Sequence, residues 1–320
     1  MVRRSRSRSR PAEFRPQHQN SYKLIYSHQD PVRDLLTGFG EGALVQQLDM
    51  DTLEWVNTSL VTDDLRDRED DIIWRVRWKE TWLYVFILLE FQSTVDPFMA
   101  VRILVYVGLL WQDIIRTQDL KAGDLLPPVL PIVLYNGEQQ WTGPIQVAEL
   151  VESAPDGMSV YIPRLQYVLV DEGAYSDEEL KAIPNNLAAA MFRIENSRDG
   201  AVVGEVVGQI DAILGPEQQS LRRALLMWIL RVVLATKLPG EMIPEVQNLA
   251  ELKDMIKRER NWEKWWTREG ERVVLLRLLR RRFGPVDEQT EKRIGSTDSD
   301  LLLEWADRVL TAERIEDVFA

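Results

Sequence analysis

The chain has 320 residues, 45% of them apolar and 28% charged, which is enough for one ordinary domain plus a smaller one and too apolar to stay unfolded throughout. It has no cysteine, which excludes disulfides, thiolate zinc sites and cysteine nucleophiles, and only two histidines, His18 and His28, so any metal is expected to be held by oxygen. The formal charge of -12 argues against a general nucleic-acid coating surface, although a local basic groove survives such averaging. No run of about eighteen apolar residues occurs, and the arginine-rich start lacks the apolar segment of a secretory signal, so a soluble, cytoplasmic protein that does not enter a membrane is expected.

Residues 1–17 scatter Arg3, Arg4, Arg6, Arg8, Arg10 and Arg15 among serines and prolines, a composition that reads as a disordered basic tail with salt-sensitive attraction for polyanions. A globular domain is expected over 18–240. Within it, Asp30-Pro31 followed by Val32, Leu35, Leu36 and Phe39 predicts a helix with Pro in its first turn and Gly38 and Gly40 near its end. Leu53 to Val61 has strand character. The acidic run Asp63, Asp64, Asp67, Glu69, Asp70 and Asp71, with Arg66 and Arg68 interleaved, reads as a charge run of the kind that is most often a solvated loop.

Two apolar stretches come next, Ile72 to Val76 and Trp82 to Leu89, and they predict adjacent strands joined antiparallel by a short turn within Arg77 to Thr81. Asp71 opens the first and Glu90-Phe91-Gln92-Ser93 closes the second. On a strand residues i and i+2 share a side, so Glu90 and Gln92 flank one site while Phe91 turns into the core. The pairing brings Asp71 toward Glu90. Two carboxylates, a backbone carbonyl and an amide at one sheet edge are hard oxygen donors of the sort Mg2+ prefers, though charged ends are also ordinary in exposed hairpins.

Phe98, Val101, Leu104, Val105, Leu109 and Ile115 recur at helical spacing and predict a long amphipathic helix on the sheet, with Arg102 early in it, near the Gln92 end. There Arg102 is suited to ordering an acid, meeting a phosphate or making a structural ion pair. Val129 to Tyr135 is an apolar, β-branched run before the turn signal Asn136-Gly137, a buried strand, and Gln166 to Val170 reads as another short one. From Glu178 onward helices dominate, at Leu187 to Arg193, Val202 to Leu214 and Leu221 to Leu234. A charged helical linker is expected over 241–268, where Lys253, Lys257, Arg258 and Arg260 are candidate nucleic-acid contacts. Trp262, Trp265 and Trp266 interleave with these cations, an arrangement that suits base stacking or, more commonly, helix packing. Residues 269–320 read as a small helical domain.

The ordered series of motifs resembles the Rpn family of recombination-promoting nucleases, also described as transposase-like, within the PD-(D/E)XK superfamily. The resemblance rests on Asn20-Ser21-Tyr22-Lys23 with His28, on Asp63 to Val76, on Leu88-Leu89-Glu90-Phe91-Gln92-Ser93 and on Met99 to Leu104. It continues through Leu126 to Gly137 and through Arg282-Phe283-Gly284-Pro285 with Glu304-Trp305 and Val309 to Ala312. What it implies is an α/β fold with a restriction-endonuclease-like mixed sheet flanked by helices, then a mainly helical C-terminal region. It also implies Mg2+-dependent cleavage of DNA, with Mn2+ or Ca2+ as substitutes, by a homodimer. Mapped by motif, Asp71 and Glu90 are the catalytic acids and hold the metal with the Phe91 carbonyl, and Gln92 stands where the wider superfamily has lysine. Asp34 is a supporting acid and Arg102 a supporting cation. His18-Gln19 departs from the His-Asp with which the family commonly begins, so a carboxylate is missing there. A catalytically weak DNA-binding or assembly component of mobile-element origin is the alternative function.

Overall fold

In the computed structural model, residues 14–56, 71–90, 95–137, 139–153, 155–197, 199–237, 246–258, 262–284, 286–295, 297–312 and 314–319 are described. They form two compact units, one of residues 1–196 and 206–250, the other of 197–205 and 251–320.

The first unit opens with helices α1 (Phe14–Tyr26), α2 (Gln29–Phe39) and α3 (Gly42–Val45). α1 begins inside the stretch read as a tail, with Pro16 in its first turn, where a missing N–H costs nothing. Strands β1 (Asp49–Trp55), β2 (Asp71–Trp78) and β3 (Thr81–Glu90) follow, then helix α4 (Met99–Thr117), β4 (Val129–Tyr135) and β5 (Val168–Asp171). They build one five-stranded sheet in the order β1-β2-β3-β4-β5. The β1–β2 and β2–β3 pairs are antiparallel, and β3–β4 and β4–β5 are parallel. The expected mixed α/β sheet is therefore present, although the first strand starts earlier than Leu53 and residues 57–61 lie outside the described residues.

β3 reads as an almost unbroken apolar run because it is central and covered on both faces, with Leu83 to Leu89 all buried. One face, carrying Tyr84, Phe86, Leu88, Val133 and Tyr135, packs on α4 through Met99, Ile103, Val107, Leu110 and Ile114. α1 lies against β2 and β3, and the Trp74 indole on β2 donates to the Tyr26 carbonyl at the end of α1 (3.0 Å). Helices α5 (Asp177–Lys181), α6 (Leu187–Asn196), α7 (Gly200–Ile213) and α8 (Gln219–Trp228) follow, and the last continues as a π-helical turn over Ile229–Leu234.

Further helices are α9 (Leu249–Arg258), α10 (Trp262–Phe283), α11 (Glu288–Gly295), α12 (Ser299–Thr311) and α13 (Ile315–Val318). In the second unit Leu275, Leu279, Ile294, Leu302, Trp305, Val309 and Val318 make a core of their own. Arg282 donates to the carbonyls of Leu310 and Ala312, which closes the end of α12 and joins two of the stretches that carry the family resemblance. None of the described helices is long and apolar enough to cross a membrane.

Candidate functional site

The site grows from the end of β3. In the parallel ladder Glu90 lies opposite Tyr135, and the next residue, Asn136, donates its backbone N–H to the Glu90 carbonyl (3.2 Å), so the last turn of chain at Glu90 is fixed from the β4 side. On the other side Asp71 lies opposite Leu88 in the antiparallel ladder. Directly opposed residues share a face, and so do Leu88 and Glu90, which makes Asp71 and Glu90 diagonal positions on one face, about 7–8 Å apart. The convergence read from the sequence is therefore present in register, offset by one diagonal step. The offset comes from the turn: Trp78 pairs with Thr81, which leaves a two-residue loop of Lys79 and Glu80 with Lys79 at φ 54°. At Asp71 the description extends to the backbone only, and Phe91 and Gln92 lie outside the described residues.

Glu90 is only 3% exposed, and an ionised carboxylate at that depth needs a partner. Arg102, on the first turn of α4, supplies it: its Nη1 is 3.1 Å from Glu90 Oε2 and 3.0 Å from Asp96 Oδ2. Burial works against the guanidinium charge, but its hydrogen bond to Asp96 and the charge of Glu90, to which it also donates, outweigh it and raise the Arg102 pKa above its ordinary value. The other Asp96 oxygen accepts from the Phe98 amide (2.9 Å), which ties the start of α4 to the same charge cluster. Asp96 was not among the acids singled out from the sequence. Its position just before Pro97 and a predicted helix was the available signal.

As to a metal, Glu90 and the register-aligned Asp71 are oxygen donors from adjacent strands, a pair that suits a hard divalent cation. Among the described residues no three His, Asp or Glu side chains gather into a group that could hold a metal ion. Asp34 is held between α2 and α6. Its carboxylate accepts from the Leu187 amide (2.6 Å) and its carbonyl from the Asn186 amide (2.8 Å), so it caps α6 from α2. Burial pushes its pKa up from the usual 3.8 to about 6, against the hydrogen bond from Leu187. Of the cations proposed to meet nucleic acid, Lys253 is half-buried and Lys257 exposed on α9, and the Arg258 side chain and Arg260 lie outside the described residues.

The opposite sheet face holds a buried cluster whose members are far apart in sequence. Tyr22 Oη and Asn136 Nδ2 donate to Glu172 Oε2 at 3.1 and 3.0 Å, and Glu172 is wholly buried at the end of β5. Burial and the Glu172 charge hold the Tyr22 phenol well above its ordinary pKa, so it remains a donor. Two of the motifs that carry the family resemblance thus meet on one carboxylate. Glu172 was missed, because nothing local marks an acid after a short strand as buried.

A mixed five-stranded sheet with helices on both faces and acids at the end of its central strand defines an α/β, nuclease-like class of protein. The family model described as "Putative transposase, YhgA-like" matches residues 16–220, and the chain belongs to that family. Among curated proteins it is 31% identical over 121 residues to recombination-promoting nuclease RpnA of Escherichia coli K12, covering 38% of this chain and 40% of that one. It is 28% identical over 163 residues to RpnD of Escherichia coli O157:H7, covering 51% and 61%. It is 29% identical over 121 residues to a K12 protein named as an inactive recombination-promoting nuclease-like protein, RpnE, covering 38% and 39%. The chain thus spans between two fifths and three fifths of the length of these relatives. No solved structure matches it.

Proposed function

We propose that the chain is a divalent-metal-dependent DNA endonuclease of the PD-(D/E)XK type, hydrolysing phosphodiester bonds and thereby promoting recombination. The observation that carries the reading is Glu90, a buried carboxylate at the end of the central strand, on the same face by register as Asp71 and gripped by Arg102. In this reading Asp71 and Glu90 bind the cation, and Arg102 keeps the Glu90 carboxylate oriented so that little reorganisation is needed during reaction. A divalent cation held by Asp71 and Glu90 would supply a water of lowered pKa and stabilisation of the charge on the phosphate. Gln92 orients the attacking water through its amide but, being neutral, cannot offset that charge as a lysine would. Cutting both strands takes two such sites, so the acting unit is a homodimer in the cytoplasm, at the nucleoid.

The neutral Gln92, together with a relative that is named inactive, favours a second reading, a DNA-binding or assembly component that keeps the fold without turnover. A plasmid assay with the purified full chain separates the two. The nuclease reading expects nicked or linear product with Mg2+ and none with EDTA, and a loss of at least about a hundredfold for Glu90→Ala and for Asp71→Ala. Variants that cut as well as the parent would refute the site. Plasmid binding without cutting in any metal, indifferent to EDTA and lost on charge reversal of Lys253 and Lys257, would establish the second reading.

A further inference from the structure

Tyr135 is the last residue of β4 in both of its ladders, opposite Glu90 of β3 and Asp171 of β5. The rung beyond it is the bond from the Asn136 N–H to the Glu90 carbonyl, at 3.2 Å. Strand ends open at the least cost, so this rung decides how firmly Glu90 is held. More than the ordinary ladder fixes Asn136. Its side-chain amide donates to Glu172 Oε2 at 3.0 Å, a bond to a carboxylate with no exposure, and Tyr22 Oη donates to the same oxygen at 3.1 Å. Beyond it, the Tyr135 hydroxyl donates to the Gln139 carbonyl at 2.8 Å and folds the chain back over the strand end. That fold leaves no room for a side chain at Gly137, where a Cβ would run into the Tyr135 hydroxyl.

Successive residues of a strand face opposite sides of the sheet. Tyr135 lies in the core under α4, so Asn136 faces the other side, where its amide is 3.5 Å from Tyr22 Oη. The Glu90 carboxylate points the opposite way, to Arg102. The Tyr22–Asn136–Glu172 cluster therefore does not share a face with that carboxylate, and it meets Glu90 through the peptide rung. A buried polar cluster stabilises a core no better than apolar packing of the same shape; what it adds is one defined arrangement of the chain.

We propose that Asn136 is a positioning residue for the site at Glu90: its side chain, anchored on Glu172, fixes the peptide from which the Glu90 carboxylate projects. Arg102 orients the head of that side chain, and Asn136 sets the backbone beneath it. The effect on cutting rests on the nuclease reading, whereas the hold on the end of β3 is measured without turnover.

The test compares the parent with Asn136→Leu, which keeps the bulk and loses the donor, and with Asn136→Asp, which sets two carboxylates face to face. Amide hydrogen exchange at Glu90, Asn136 and their neighbours should be at least about tenfold faster in both. Calorimetric Ca2+ affinity, and single-turnover nicking in Mg2+ at saturating plasmid, should each fall at least about tenfold. Adding Glu172→Gln to Asn136→Asp exchanges donor and acceptor across the same bond and should return all three readouts to within about threefold of the parent. Asn186→Ala, which removes a buried amide at the start of α6, controls for lost stability: it should lower the melt and leave the three readouts at the parent's values. Parental exchange in Asn136→Leu, or an Asp–Gln pair that rescues nothing, overturns the proposal. Variants that exchange faster yet bind Ca2+ and nick like the parent refute the positioning role alone. A parent that neither binds Ca2+ nor nicks refutes the nuclease reading, and with it the site that Asn136 would position.

Discussion

Replacing Arg102 with methionine keeps most of its packing and removes the charge that two carboxylates share. Glu90, 3% exposed, would lose the cation it shares with Asp96, while Asp96, closer to the surface, would find water. Removing one member of a buried pair costs about 3–5 kcal/mol, and the Arg102 side chain is 26% exposed, so the cost is discounted below that range, to about 2–3 kcal/mol. In a domain of this size each kcal/mol moves the midpoint by about 2–4 °C, which gives a fall of roughly 5–10 °C in a thermal melt followed by circular dichroism. A second substitution, Glu90→Gln, neutralises that acid, and the double variant should recover at least about 1 kcal/mol of the loss as coupling. The pair lies away from bulk solvent, so the loss should persist in high salt. An Arg102→Met protein that melts within about 1 °C of the parent would refute the claim that this ion pair holds the end of β3 to α4.

Asp34 gives a pH signature whose sign follows from its raised pKa: the folded state favours the neutral acid, so its contribution is fully favourable below about pH 4 and is lost as pH rises through about 6. The full shift is worth about 3 kcal/mol, and partial exposure reduces it to about 1–2, so urea unfolding of Asp34→Asn should lose that much of the parent's decline between pH 4 and 7; an unchanged decline would contradict the assignment. Tyr22→Phe removes a donor from the wholly buried Glu172 and should destabilise by about 1.5–3 kcal/mol in the same assay, whereas Ser27→Ala, at an exposed hydroxyl bonded to the Leu24 carbonyl, should stay within about 0.5 kcal/mol.

The parts of this fold that sequence patterns reveal are those whose cause is local. The unbroken apolar run of β3 and β4 and the helical spacing of α4 follow from which faces are buried, and the early place of Arg102 in α4 was enough to aim it at the end of β3. The turn between β2 and β3 was not legible to the residue, because Lys79 takes the left-handed conformation without the Asn-Gly signal that normally marks a two-residue hairpin, and the register offset between Asp71 and Glu90 follows from it. The Tyr22–Asn136–Glu172 cluster joins residues 114 and 150 positions apart, and no periodicity reports a contact at that separation. Asp34 entered as a supporting acid through the family resemblance alone; its use as a cap for α6 depends on a helix that starts 153 residues later, which no local pattern reports.

The central claim concerns Glu90, and Glu90→Gln tests it most directly because the amide keeps the shape and a hydrogen-bond acceptor for Arg102 while removing the charge a cation needs. Single-turnover nicking of supercoiled plasmid in Mg2+, measured beside a melt showing that the variant is folded, should fall by about a hundredfold or more relative to the parent. A folded Glu90→Gln protein that nicks at the parental rate would contradict the account.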